Sequence, residues 1–397
     1  MWQRIRAAVS YIFAPAFFAV VFSHLMTDLY VGQRSVYLAY ISKQLNMSNA
    51  WLGAVTTAAV MTAGLSQPLF GYLADRVGSR RMIIGAMAWI GVTFGLSVLM
   101  PPIWSAWFFV LASLGAGMYH PAGVNQATLI GRTQMAGREA TASSYFFLFG
   151  QLGFLLGPLL GGIILQRWGD VGLLGMLALL IPAIIFVWRS LGQQQTVAVG
   201  QLQRAASAAM PTASPARPRA FVVVAWALAM AFQSWSQQNI SAFMPRHMAE
   251  LGKAPNVYGL LASLFIAGTV VGNLIGGNLA DHVGKRWVIM WGMGLGALPL
   301  FAMAWLDFSL LWAALLFLGG MLVGSAYSIL VVFGQRFAPG GGALASGLVL
   351  GFAFSSGAIG TSLTGWLADG WGFGAAYIFS AALALAGAVL ARFLPER

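Results

Sequence analysis

The sequence predicts an all-α polytopic membrane protein: twelve transmembrane helices in two six-helix bundles related by pseudo-two-fold symmetry. Three observations predict it. Of the 397 residues, 59% are hydrophobic and only 8% are charged, against about 25% charged in a soluble domain. Twelve apolar runs, most near the ~20 residues needed to cross a bilayer, are separated by short polar breaks. An eleven-residue pattern recurs 206 residues downstream, at matching places in the two halves. The composition alone excludes a secreted soluble enzyme, a nucleic-acid factor and a disordered scaffold.

The runs fall at 12–41, 51–73, 82–100, 104–130, 141–166, 172–189, 220–247, 257–280, 287–306, 309–334, 343–368 and 373–391. The start, Met1 to Arg6, is basic and precedes the first run, as in a signal peptide. That run extends past an h-region with no small-residue cleavage site, so it reads as a retained first span. One break is longer. It is rich in Gln, Pro, Ala and Ser, and reads as a flexible cytoplasmic linker over 190–219. It separates an N-terminal bundle, 1–189, from a C-terminal bundle, 220–397. No cysteine is present, which removes disulfides, thiolate metal sites and cysteine nucleophiles.

The net charge of +12 is distributed by topology rather than gathered in a nucleic-acid-binding patch. With both termini inside, sixteen of the 21 Lys and Arg residues fall on inside segments. Lys43, Arg167, Arg246 and Lys253 fall outside, and Arg34 lies in or near the first span. An even span number under the positive-inside rule predicts this asymmetry.

The repeat pairs Gly71-Tyr-Leu-Ala-Asp75-Arg76-Val-Gly78-Ser-Arg80-Arg81 with Gly277-Asn-Leu-Ala-Asp281-His-Val-Gly284-Lys-Arg286-Trp287, seven positions identical. Gly53 and Gly259 stand at the same offset. Weaker echoes run from Gly162 to Gly169 and from Gly365 to Gly372, again with glycines seven apart. Three-plus-three repeats nested within six-span halves are a transporter architecture. A glycine at a span end permits a tight turn, and inside basic residues can pair with the loop Asp.

The span count, the linker and the Gly71–Arg81 loop resemble the major facilitator superfamily, whose signature lies between its second and third helices. The Gly277 copy resembles the related loop between helices eight and nine, departing at His282 and Trp287. The resemblance implies a central cavity, rocker-switch transport, and a cytoplasmic latch made by Gly71, Asp75, Arg76, Gly78, Arg80 and Arg81, with Asp281, Gly284 and Arg286 as its second copy. Span five carries Gly153-x-x-x-Gly157-Pro158-x-x-Gly161-Gly162. This resembles the helix motif of proton-coupled drug antiporters, with Ala140 and Ser144 where the extended pattern has glycines. Ser23-His24-Leu-Met-Thr27-Asp28 and Gly115-x-Gly117-Met-Tyr119-His120-Pro121 together resemble the fosmidomycin-resistance branch. Leu111 and Ala112 stand where other antiporter branches place an Arg.

Asp28 is the one acidic residue in the interior of a predicted span. A membrane carboxylate costs about 2.5–3.5 kcal/mol on insertion scales and is a functional candidate by default. His24 lies four residues earlier, on the same helical face, and His120 precedes a helix-distorting proline. These three are the candidate proton-coupling residues. Arg34 is a candidate clamp for an anionic substrate, though six residues from Asp28 it is about 240° away on a regular helix. Tyr30, Asn125, Gln126, Gln233, Gln237, Asn239 and Tyr327 complete the candidate substrate contacts. At the repeat offset Asp28 maps to Ser234 and Arg34 to Ile240, so ionisable groups are confined to the first half.

The leading expectation is a proton-coupled exporter of small organic molecules, a monomer in a bacterial-type inner membrane. Its partners are the lipid bilayer, protons and a small-molecule substrate, with no nucleic acid, no cofactor and no metal. The alternative is a proton symporter importing an anionic metabolite. A membrane enzyme finds no support: HExxH, GxSxG and phosphate-loop patterns are missing. A channel or purely structural protein leaves the duplicated loops without a purpose.

Overall fold

The computed structural model describes residues 13–135, 139–191, 219–337 and 342–396. These are helical almost throughout, in the order α1 (Pro15–Gly32), α2 (Arg34–Gln44), α3 (Asn49–Val77), α4 (Ser79–Leu99), α5 (Pro102–Thr133), α6 (Glu139–Trp168), α7 (Leu174–Leu177, after a 3-10 turn), α8 (Leu180–Ser190), α9 (Ala220–Glu250), α10 (Pro255–Val283), α11 (Lys285–Ala302), α12 (Leu310–Gly324), α13 (Tyr327–Phe337) and α14 (Gly342–Ala391). Nearly all of the expected linker, 190–219, lies outside the described residues, as do the basic residues at 4 and 6.

Each apolar run coincides with helix, but not as twelve uninterrupted rods. Eight stretches among the described residues are long and apolar enough to cross a membrane. The first run breaks at Gln33, the sixth begins with a 3-10 turn and the short α7 before α8, and the tenth breaks at Ser325–Ala326. The last two runs join as α14, interrupted only by the non-helical Gly372. The outward faces are apolar: Leu274 (70% exposed), Leu298 (64%) and Trp291 (59%) are typical. Such continuous apolar exposure suits lipid rather than water.

The four motif copies share a backbone feature. Gly78, Gly169, Gly284 and Gly372 all have positive φ, between 65° and 98°. Each is the last glycine of its copy, and each stops a helix where an L side chain would be strained. The repeat therefore encodes one helix-ending turn, used four times.

Contact density divides the chain into two compact units. Unit 1 comprises the described parts of Met1–Arg34, Leu65–Gly157 and Arg167–Met210. Unit 2 comprises Ser35–Gly64, Pro158–Gln166 and the described parts of Pro211–Arg397. Unit 2 thus joins stretches of the first half of the sequence to the second half. One of its hydrophobic cores gathers Trp226, Met230, Ile289, Met293, Leu330 and Phe333.

Candidate functional site

Unit 1 brings His24, Asp28 and His120 together. α1 places His24 and Asp28 one turn apart, and α5 supplies His120. The Nε2 of His24 lies 3.2 Å from Asp28 Oδ2, and the Nε2 of His120 lies 3.2 Å from Asp28 Oδ1. The side chains are 2%, 13% and 29% exposed respectively. Both imidazoles are fixed from behind. His24 Nδ1 is 2.7 Å from the Phe146 carbonyl, and His120 Nδ1 is 2.7 Å from the Ala116 carbonyl. A carbonyl only accepts, so each Nδ1 carries the hydrogen and donates it. Each Nε2 is therefore left to face its own carboxylate oxygen.

Side chains that sequence reasoning did not single out complete this site. The His24 ring stacks on Phe146 with centroids 3.8 Å apart and planes 20° apart. Tyr119 stacks on both His24 and Phe146, its hydroxyl 2.7 Å from Ser23 Oγ and donating to the Val20 carbonyl at 3.0 Å. Gly150 on α6 has no room for a side chain. A Cβ there would overlap the His24 ring and stand 2.8 Å from Asp28 Oδ2. Gly153 lies on the backbone of Leu25 and Leu29, and Gly157 on Leu29 and Gln33. The small-residue face of α6 thus seats the helix that carries the acid, by the close approach glycines permit. The face was legible one step further: Gly150, Gly153 and Gly157 recur at helical spacing, and Gly150 heads the row.

The break after Gly32 changes the expected position of Arg34. Gly32 packs against the Phe154 carbonyl, Gln33 ends α1 at φ −69° and ψ −9°, and Arg34 opens a new segment. The regular-helix angle to Asp28 does not hold across it. No acidic side chain pairs with Arg34 among the described residues. Just before it in the chain, the Tyr30 hydroxyl and both ends of the Gln33 amide are buried without a hydrogen-bond partner. Asn125 donates to Ser79 Oγ at 3.4 Å, and Gln126 Oε1 is buried and unpartnered.

The remaining expected contacts lie in unit 2. Gln233 Nε2 donates to Gln237 Oε1 at 2.8 Å and to the Val323 carbonyl at 3.3 Å. Asn239 Nδ2 donates to Ser380 Oγ at 3.2 Å, leaving its Oδ1 unpartnered. Tyr327 begins α13, half-buried. Gly162 packs against Pro255 and Gly259 of α10, and the carbonyl of Pro158 meets Gly259. Gly161 is buried beside them.

In the Gly71–Arg81 segment Gly71 lies on Pro121, Arg76 stacks over Tyr72 at 4.4 Å, and Arg80 donates to the Trp188 carbonyl. Asp75 is half-buried and Arg81 exposed. In the Gly277–Trp287 segment, Arg286 pairs with Glu396 near the C-terminus and lies over Trp287. The side chain of Asp281 lies outside the described set.

His24, Asp28 and His120 also offer three ligand atoms within 4.8 Å of one another among the described residues. Each Nε2 has its own carboxylate oxygen, however, and that pairwise spacing suits a proton in each gap.

The family model described as Major Facilitator Superfamily matches residues 16–245 and 226–397. The chain belongs to the major facilitator superfamily. It is accordingly an integral membrane transporter and not an enzyme. The chain is 28% identical to the fosmidomycin resistance protein of Escherichia coli, over 95% of this chain and 92% of that one. This supports the branch resemblance read from spans one and four. In fold it is similar to a bacterial homologue of the human lysosomal transporter Spinster, with TM-score 0.77, 14% identity, and 97% and 95% of the two chains covered. It is also similar to a D-xylose-proton symporter, with TM-score 0.68, 17% identity, and 97% and 98% covered.

Proposed function

We propose that this transporter is a proton-coupled exporter of small organic molecules, with His24, Asp28 and His120 as its proton site. The observation that carries this reading is the double Nε2–carboxylate contact with both Nδ1 atoms committed to carbonyls. If the triad held no exchangeable proton, two ring lone pairs would face two carboxylate lone pairs at 3.2 Å. One proton in a gap turns that repulsion into a charge-assisted hydrogen bond. The closed triad is therefore stable with two protons, strained with one and repulsive with none. The Phe146 face beneath His24 adds a cation–π attraction for the imidazolium. Loss of protons to one side of the membrane loosens α1 from α5. Reloading from the other side draws them together again.

The reading extends to the rest of the site. The two halves, 1–189 and 220–397, act as the moving bundles, joined by the 190–219 linker with both termini cytoplasmic. The loops at Gly71–Arg81 and Gly277–Trp287 gate the cytoplasmic side. Arg34, with Tyr30, Gln33 and Gln126, offers cationic and neutral hydrogen-bonding capacity that no described residue consumes. From the second half, Asn239 adds an unpartnered Oδ1, beside the mutually bonded amides of Gln233 and Gln237. Buried polar atoms are normally satisfied, so these unpartnered groups suit a polar substrate that arrives and leaves. The fosmidomycin-resistance relative supports export as the direction.

The test is reconstitution into liposomes with fosmidomycin as first substrate. Wild-type protein should move substrate against an imposed proton gradient with proton flux in the opposite sense. Asp28→Asn should abolish the proton flux and the uphill transport. Uphill transport with full proton flux in Asp28→Asn would remove Asp28 from the mechanism.

A further inference from the structure

The fourth copy of the helix-ending motif, Gly365 to Gly372, takes no part in the proton site. Within unit 2 its Asp369 does something specific. Its Oδ1 accepts from the backbone N–H of Asn49 at 2.7 Å, and its Oδ2 from that of Ala50 at 2.8 Å. These are first-turn amides of α3, which have no partner within their own helix. Asp369 sits three residues before Gly372, where its own helix is interrupted. A negative charge is unfavourable at a helix C-terminus and favourable at an N-terminus. The carboxylate thus gains from α3 what it lacks in its own helix.

Other contacts surround this cap. Arg246, 6% exposed, donates to Ser42 Oγ at 3.2 Å and to the Met47 carbonyl at 3.0 Å, and pairs with Glu250 at 3.0 Å. Lys43 donates to the Ala249 carbonyl. Gly365 lies directly against the Asn49 carbonyl. Residues 42–50 of the first half are thereby fastened to 246–250 and 365–369 of the second.

The repeat-related contact shows what is particular to this one. Gly162 packs against Pro255 and Asn256 as Gly365 packs against Asn49 and Ala50, and 255 is 49 displaced by the repeat offset. There the sequence has Gln166, four residues after the glycine, where the other copy has Asp369. It has Pro255, which lacks an N–H, where the other has Asn49. One member of the pair has a carboxylate and two donors, and the other has lost the charge and one donor.

We infer that Asp369 is a gating residue: its carboxylate caps α3 while the 45–48 side of the transporter is closed and releases it when that side opens. The inference rests on the alternating-access reading above. Its test reads opening alone, without protons or substrate, so it can fail while the proton site stands, and the reverse.

The natural chain has no cysteine, so Gln44→Cys and Leu251→Cys can be spin-labelled without background and their separation measured in reconstituted protein. Asp369→Asn, which replaces one accepting oxygen with a donor, should raise the ratio of long to short distances about fivefold, the worth of a typical N-cap interaction. Asn49→Pro removes one donor at a helix position that tolerates proline and should shift the ratio in the same direction. The double variant should add little to either. An unchanged distribution in both single variants, or full additivity in the double, would overturn the proposal. Should Asp369→Asn prove unstable, Asn49→Pro with a thermal unfolding control reads the same contact from the other side.

Discussion

Replacing Gly150 with alanine adds one methyl group at a confined point of the His24–Asp28–His120 site. Two terms compete. In a helix interior, Gly→Ala is worth about 1 kcal/mol of stabilisation. Against it, the new Cβ meets the His24 ring and lies 2.8 Å from Asp28 Oδ2, and overpacking a tight interior typically costs about 1–3 kcal/mol. Retreat of α6 would open the close contacts that Gly153 and Gly157 make with the backbone of α1, so it is resisted by the loss of that packing. His24 is held by Phe146 on the same helix, so the Asp28 contact is the part that gives. Net stability should therefore fall by no more than about 2 kcal/mol, whereas proton coupling should be lost. Gly351→Ala is the control: it is helical with open space around its Cβ position, and should gain about 0.5–1 kcal/mol with coupling intact. The assay pairs thermal unfolding in detergent with proton flux in liposomes. Gly150→Ala protein with wild-type coupling would refute the packing argument, since the triad would then have room to spare.

Other substitutions probe neighbouring parts. Tyr119→Phe removes the hydroxyl bonded to Ser23 and the Val20 carbonyl; chemical unfolding should register a loss of about 1 kcal/mol, with transport slowed but still proton-coupled. Gly157→Leu should separate α6 from α1 at Leu29 and Gln33, and folded yield by size-exclusion chromatography should drop sharply while Gly351→Leu leaves it unchanged. Ser309→Ala removes the hydroxyl that caps α12 by accepting from Trp312 N at 3.2 Å, and thermal unfolding should show a loss of about 1 kcal/mol with no change in substrate turnover.

The helical architecture and the repeat were legible because both are written in hydropathy and in glycine. An apolar run must become helix in lipid, where backbone groups have no other partner. The glycine that ends each motif copy marks a positive φ that other residues resist. Interruptions within runs were less visible. The break at Gln33 follows from Gly32 meeting the Phe154 carbonyl, a contact 122 residues away that local sequence does not announce. In the site, Asp28, His24 and His120 stood out because ionisable groups are scarce in a membrane. Phe146, Gly150 and Tyr119 did not, since aromatic and glycine residues are abundant here and only packing distinguishes these from the rest. Asp369 was hidden differently: it falls between the last two apolar runs, and its value lies in the amides of a helix more than 300 positions earlier.

The central claim is that Asp28 binds two histidines through protons held at their Nε2 atoms. The chain has only four histidines, so nitrogen-15 NMR of the ring nitrogens can follow His24 and His120 through a pH titration. The account predicts that both keep hydrogen at Nδ1 throughout, that both change protonation at Nε2, and that the two titrations are coupled in the wild type and independent in Asp28→Asn. A neutral ring with hydrogen at Nε2 and a bare Nδ1, or titrations already independent in the wild type, would contradict it.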